Sequence, residues 1–231
     1  MGEVNYCFIA AIILLSWGLV RGYRKGFLRI AVSLISIVFV LFIATKISPY
    51  VSDFVMERTP AYEKVRHKII EIYAEKNSAL DNTIPENQGI TIDSYDLPDL
   101  IAGALISNNT DLMYEKLAAS LFEEYISRYL AKIVIKAGSF IGLFIIFGIV
   151  MLIVMGTIRI IEKIPVLRFF NRLLGMIASL SISLIWIWLF YIVVMIFFTD
   201  SIGTWMLSQI QDSSLLIFLF NNNILLKMIM V

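Results

Sequence analysis

The residue types that most often carry chemistry are sparse in this chain. A single cysteine, Cys7, and a single histidine, His67, exclude an internal disulfide, a multi-cysteine metal site and His-based zinc centres. Cys7 lies inside an apolar run, where a small apolar role is expected. His67 stands between Arg66 and Lys68 in a helical pattern, the setting of a solvated face. Asp93, Asp96 and Asp99 form the remaining cluster, and carboxylates of that kind can hold a divalent cation. Their spacing matches no calcium loop, and the Tyr95 and Pro98 between them mark an acidic turn. No nucleophile, base and orienting group converge in the pattern, so the expectation is a protein without enzymatic activity, cofactor or metal.

Composition points to a different kind of molecule. Of 231 residues, 59% are apolar and 16% charged, and the mean hydropathy is +0.85. Soluble domains carry about 45–50% apolar and roughly 25% charged residues. The balance excludes a disordered chain, a collagen-like chain, a disulfide-rich secreted module and an ordinary cytosolic enzyme. The formal net charge of +1 argues against a nucleic-acid partner. The solvent implied is the lipid bilayer.

A helix needs about 20 apolar residues to cross a hydrocarbon core of roughly 30 Å. Residues 4–20, 27–45, 133–158 and 173–198 meet that requirement. Arg29 and Lys136 sit close enough to the ends of their spans to snorkel toward the headgroups. The span centres are free of charge, which is coherent with a cost of about 2.5–3.5 kcal/mol for an Arg, Lys or Asp at mid-bilayer. The first span is expected to be retained, because Met1-Gly2-Glu3 offers an acid where a signal peptide carries bases.

Orientation follows from charge segregation. The first connection holds Arg21, Arg24 and Lys25, with Arg29 beside it, and no acid. The connection 159–172 holds Arg159, Lys163, Arg168 and Arg172 against Glu162 alone. Residues 48–132 hold 14 acids and 8 bases, a net of −6. Positive residues in short loops stay on the cytoplasmic side. The expected organisation is therefore an all-α integral membrane protein with four transmembrane helices and both termini outside. Residues 1–47 form a first hairpin with a basic cytoplasmic turn, and 48–132 a long helical extracytoplasmic loop. Residues 133–198 form a second hairpin with a basic cytoplasmic loop, and 199–231 an amphipathic interfacial tail.

Within the loop, Thr59-Pro60 predicts a helix start, with Val65, Ile69, Ile72 and Tyr73 as its apolar stripe. Residues 81–89 read as turn chemistry and a mobile break. A second helix is expected from near Asp111, with Leu117, Leu121, Phe122, Tyr125 and Leu130 on its apolar side, running on into the third span. In the tail, Ile202, Trp205, Met206 and Ile210 predict a short amphipathic helix. The apolar pieces flanking Asn221-Asn222-Asn223 are each too short to span and predict an interfacial or re-entrant hairpin.

Helices in lipid associate through small residues that let backbones approach. Gly18, Gly22 and Gly26 recur at four-residue steps, as do Gly138 and Gly142, and Gly175, Ser179 and Ser183. These faces are expected to pack helices within the chain, or against a second copy or another membrane protein.

The segment Arg21-Gly22-Tyr23-Arg24-Lys25-Gly26-Phe27-Leu28-Arg29 resembles the basic, glycine-punctuated turn between the first two spans of the colicin V production (CvpA) family. Pro165 followed by Asn171-Arg172-Leu173-Leu174-Gly175 resembles that family's [D/N]-R-x-L-G approach to its last span. Asn5 and Ile30 stand where many members carry an acid, and the long loop is poorly matched. The resemblance implies a multi-pass protein of the bacterial cytoplasmic (inner) membrane, needed for production or export of a peptide toxin or for envelope function. It implies no catalytic residue. The expected activity is that of an accessory or assembly protein acting through helix packing, its cytoplasmic face anchored by Arg21, Arg24, Lys25, Arg29, Asn171 and Arg172. The alternative is a component of an oligomeric channel or transporter, although such proteins usually place acids, bases or histidines inside the bundle.

Overall fold

The computed structural model describes residues 4–77, 85–157 and 168–230, and every regular element among these is a helix. In chain order they are α1 (Tyr6–Lys25), α2 (Phe27–Arg58), α3 (Ala61–Asn77), α4 (Pro85–Asp93), α5 (Asp99–Ser107) and α6 (Asp111–Leu117). There follow α7 (Phe122–Thr157), α8 (Arg168–Ile196), α9 (Ser201–Gln211), α10 (Ser214–Asn221) and α11 (Ile224–Met230). Helices α1, α2, α7 and α8 are long and apolar enough to cross a membrane, which fits a multi-pass membrane protein.

Helix α8 is the axis of the bundle. It touches α1, α2 and α7 along its length and α9, α10 and α11 toward its C-terminal end. More than half of its apolar stretch is buried within the chain, 56% against 17–22% for the other three. A helix apolar on all sides can occupy that position because it has no polar face to solvate.

Two of the long helices overrun their apolar stretches. Helix α2 continues to Arg58 because Leu41, Ala44, Ser48 and Ser52 keep one buried stripe at helical spacing. The Ser52 hydroxyl donates to the Pro49 carbonyl at 2.8 Å and that of Ser48 to the Lys136 carbonyl on α7 at 3.4 Å, so burying these hydroxyls leaves neither unpaired. Helix α7 begins at Phe122 and passes without interruption into the third apolar stretch.

Several expectations for 48–132 need correction. The helix starting at Asp111 does not run on: α6 ends at Leu117, and Ala118 adopts φ +50°. The Glu124 carboxylate accepts from the Ser120 N–H at 2.8 Å and its hydroxyl at 3.0 Å, which fastens a new helix start. Arg128 donates to the Leu117 carbonyl at 3.2 Å and satisfies the end of the old one. Residues 85–89, read as a turn, open α4 instead, since a proline is acceptable in a first helical turn. Residues 81–84 lie outside the described residues, as do Glu3, Arg159, Glu162, Lys163 and Pro165. Ile72 and Leu121 are exposed and drop out of the stripes assigned to them.

The short helices of this segment enclose an aromatic core. Tyr73 meets Tyr95 at 4.3 Å between ring centroids, and Tyr114 stacks on Tyr125 at 5.0 Å. The Tyr125 hydroxyl donates to the Leu105 carbonyl at 2.6 Å, so its burial leaves no unpaired group. Helix α5, with Ile101 and Leu105 fully buried, completes that core.

The tail folds back along α8. Phe220, Leu226 and Asn223 are fully buried. Trp188 on α8 donates to the Leu219 carbonyl and accepts, through its own carbonyl, from the Asn223 amide, each at 3.1 Å. The Asn223 side-chain oxygen in turn caps α11, accepting from the Leu226 N–H at 3.0 Å. In α9, Leu207 and Ile210 turn inward while Ile202 and Trp205 stay exposed.

Candidate functional site

The turn joining α1 to α2 is one residue long. Gly26 takes φ +76°, a conformation side-chain-bearing residues rarely adopt, and its N–H donates to the Gly22 carbonyl at 2.9 Å. Helix α2 then begins at once, leaving the Phe27 N–H without an intrahelical acceptor. The side-chain oxygen of Asn171, 144 residues away on α8, accepts from it at 2.9 Å. Asn171 therefore does for α2, from a different helix, what an N-cap residue does locally.

One turn beyond Asn171, the α8 backbone presses against this corner. A Cβ placed on Gly175 would lie 2.6 Å from the Gly22 carbonyl oxygen, 2.8 Å from the Gly26 carbonyl carbon and 2.9 Å from the Phe27 nitrogen. A Cβ on Gly22 would strike the Gly175 carbonyl, and one on Gly26 the Asn171 amide. Farther along, a Cβ on Gly18 would collide with the Ser183 hydroxyl and come within 3.3 Å of the Ser179 carbonyl. Ser183 donates to the Leu14 carbonyl at 3.2 Å across the same contact. Gly18, Gly22, Gly26, Gly175, Ser179 and Ser183 are thus brought into one seam between α1 and α8. Gly138 and Gly142 are not part of it: among the described residues, no atom lies within 4 Å of a Cβ added at either.

The basic residues ring the outside of this corner. Arg172 lies over the Tyr23 ring, 4.9 Å from its centroid, and donates to the Tyr23 hydroxyl at 3.2 Å. Arg24, Lys25 and Arg29 are exposed, and Arg21 is half-buried on the face of α1 that turns toward the bundle. The two stretches carrying the family resemblance, residues 21–29 and 171–175, therefore meet as the two halves of a single joint.

The acidic cluster is engaged otherwise. Asp96, at φ +53°, gives its carbonyl to the Gln211 amide at 2.9 Å, and Asp99 accepts from the Asn221 amide at 3.1 Å. Among the described residues no three His, Cys, Asp or Glu side chains converge on a common point. His67 is exposed on α3, and Cys7 is half-buried on α1. Lys68, its neighbour on α3, pairs with Asp200 just ahead of α9.

Three positions to which sequence patterns gave no contact role join remote elements. Tyr23 is the partner of Arg172. Gln209, buried on α9, accepts from the Tyr6 N–H at 2.7 Å, and its carbonyl accepts from the Asn5 amide at 2.5 Å. Asn5 also caps α1, accepting from the Phe8 N–H at 2.8 Å. An Asn directly ahead of an apolar run is a readable cap signal; nothing local marks Gln209 as its partner. Set against family models, curated proteins and solved structures, the chain matches none.

Proposed function

We propose that this chain is an accessory or assembly protein of a bacterial cytoplasmic membrane, of the kind implied by its resemblance to colicin V production proteins, and that it acts through helix contacts. One observation carries the reading: the two motifs of the resemblance, far apart in sequence, close on each other through Asn171, Gly22 and Gly175. Such a joint fixes the angle between α1, α2 and α8. In this reading the basic corner is cytoplasmic, residues 48–132 are extracytoplasmic, and the tail lies at the outer interface with both termini.

Among the described residues, one surface open to a partner is on α7. Gly138 and Gly142 are uncovered, and Ile146, Val150 and Ile153 on the same helix are exposed. Small residues followed by large exposed aliphatic ones form a face that a second transmembrane helix can approach closely. The channel alternative lacks internal acids, bases or histidines in residues 6–20, 30–45, 137–157 and 173–196.

Photo-cross-linkers at Gly138, Ile146 and Ile153 in intact cells test the proposal. A discrete protein adduct from this face, and no ion or solute flux from purified protein in liposomes, is the expected outcome. Adducts to lipid alone, together with flux, would overturn it in favour of the channel.

A further inference from the structure

Beyond its first half, α7 parts from α2 and α8 and leaves a crevice of about 630 Å³. The walls are almost wholly apolar, supplied by α2, α7 and α8, with Phe144, Leu152 and Phe190 among them. Among the described residues, the polar wall groups besides one cation are Ser33, Ser36 and the Trp186 indole N–H, and the Ser36 hydroxyl is already spent on the Val32 carbonyl at 2.8 Å. That volume is in the range of small-molecule sites, but so sparse a polar lining suits an apolar chain better than a polar metabolite.

The dimensions are those of a lipid tail. The crevice runs from Ile141 to Leu152 on α7 and from Ile182 to Val193 on α8. At 1.5 Å rise per residue each stretch covers about 16 Å. That is about half of a hydrocarbon core of roughly 30 Å, the depth reached by one acyl chain in its leaflet.

The charge is at the end where a headgroup would sit. Arg21, in the last turns of α1 beside the Gly22–Gly175 contact, is the one charged residue among the described residues of the lining. Among the described residues no acid pairs with it. A guanidinium presents a planar fork of donors that matches two phosphate oxygens, and its long stem can lie along apolar surface while the head reaches out. Arg24 and Lys25, exposed one turn on, add positive potential to that end.

We propose that this crevice is a binding site for one anionic phospholipid, an acyl chain lying between α2, α7 and α8 and the phosphate held by Arg21. The second acyl chain stays in the surrounding bilayer. Arg21 supplies the preference for an anionic headgroup, and the crevice supplies retention of the tail. The inference requires that the chain spans a bilayer, but it does not depend on the accessory role proposed above.

The full-length protein, reconstituted into vesicles of equal parts phosphatidylglycerol and phosphatidylcholine and then extracted gently into detergent, tests the site by native mass spectrometry. One retained lipid per chain is expected, with phosphatidylglycerol favoured about tenfold, because both lipids offer Arg21 a phosphate but the choline cation of phosphatidylcholine offsets that attraction. Arg21→Gln should reduce that preference to below about twofold, whereas Arg24→Gln should leave most of it. Gly148→Leu separates the tail from the head. Gly148 lines the crevice, and a Cβ there meets no atom within 4 Å, so the added side chain has room to project into the space. It should markedly lower retention of both lipids. Equal headgroup ratios in the parent and Arg21→Gln proteins, or full retention in Gly148→Leu, would overturn the proposal. So would a second copy of the chain cross-linking to position 148 in place of lipid.

Discussion

Replacing Gly175 by alanine tests the joint with one added methyl group. The new Cβ would stand 2.6 Å from the Gly22 carbonyl oxygen, and 2.8 and 2.9 Å from two further backbone atoms, where ordinary contact begins at 3.4 Å. None of these atoms can rotate away, so α8 must withdraw by about 0.8 Å at this level. Overpacking of this kind costs about 1–3 kcal/mol. The same withdrawal stretches the bond between Asn171 and the Phe27 N–H from 2.9 Å toward about 3.7 Å, beyond useful hydrogen bonding, for about 1 kcal/mol more. The expected loss is about 2–4 kcal/mol, read as a shifted denaturant midpoint in detergent micelles. Gly138→Ala is the matched control, because the same methyl group meets no atom within 4 Å there. It should leave stability unchanged, or raise it by up to about 1 kcal/mol through helix propensity. Equal shifts in the two variants would refute the reasoning, since the glycines would then act through propensity and not through proximity.

Asn171→Ala should cost about 1 kcal/mol by uncapping α2, while Asn171→Asp keeps the acceptor and most of the stability; equal losses in the two would remove the cap from the account. Gln209→Leu should cost about 1–3 kcal/mol and speed amide exchange at Tyr6, because the first turn of α1 loses a buried acceptor; unchanged exchange there would count against it. Burial, with Asp96 adding to it, pushes the Tyr73 phenol up from 10.0 to about 12. The proton is held more tightly in the folded state, so this contribution is complete below pH 10 and lost as pH climbs from 10 to about 12. Phenolate absorbance should therefore show Tyr73 still neutral at pH 11, with Tyr73→Phe removing that late titration; ionisation of Tyr73 near pH 10 would show that its site is open to water.

The long helices were legible because their apolar runs exceed anything a soluble core needs. Their ends were not. Helix α2 runs through Pro49 to Arg58 on the strength of Ser48 and Ser52, residues that look like solvent-facing polar positions until α7 is placed against them. The break between α6 and α7 has no proline or glycine; its left-handed residue is an alanine. Ser120 followed by Glu123 and Glu124 was the readable signal, since that spacing caps a helix start. Residues 85–89 misled in the opposite direction, because proline, asparagine and glycine serve turns and first helical turns alike. For the joint, the four-residue spacing of Gly18, Gly22 and Gly26 marked a flat helix surface. Gly138 and Gly142 carry the same mark and face no other helix among the described residues. A small-residue repeat specifies how closely something can approach, and only the fold specifies what does.

The clasp between Asn5, Tyr6 and Gln209 spans 204 residues of chain. A ribosome adding about 5–20 residues per second makes its two sides roughly 10–40 s apart. During synthesis the first helix is therefore complete long before its first-turn amide has an acceptor, and the place of its N-terminal end is fixed by a segment that does not yet exist. Nascent chains halted before residue 209 would hold that helix in a provisional position, open to whatever insertion machinery or chaperone meets it first.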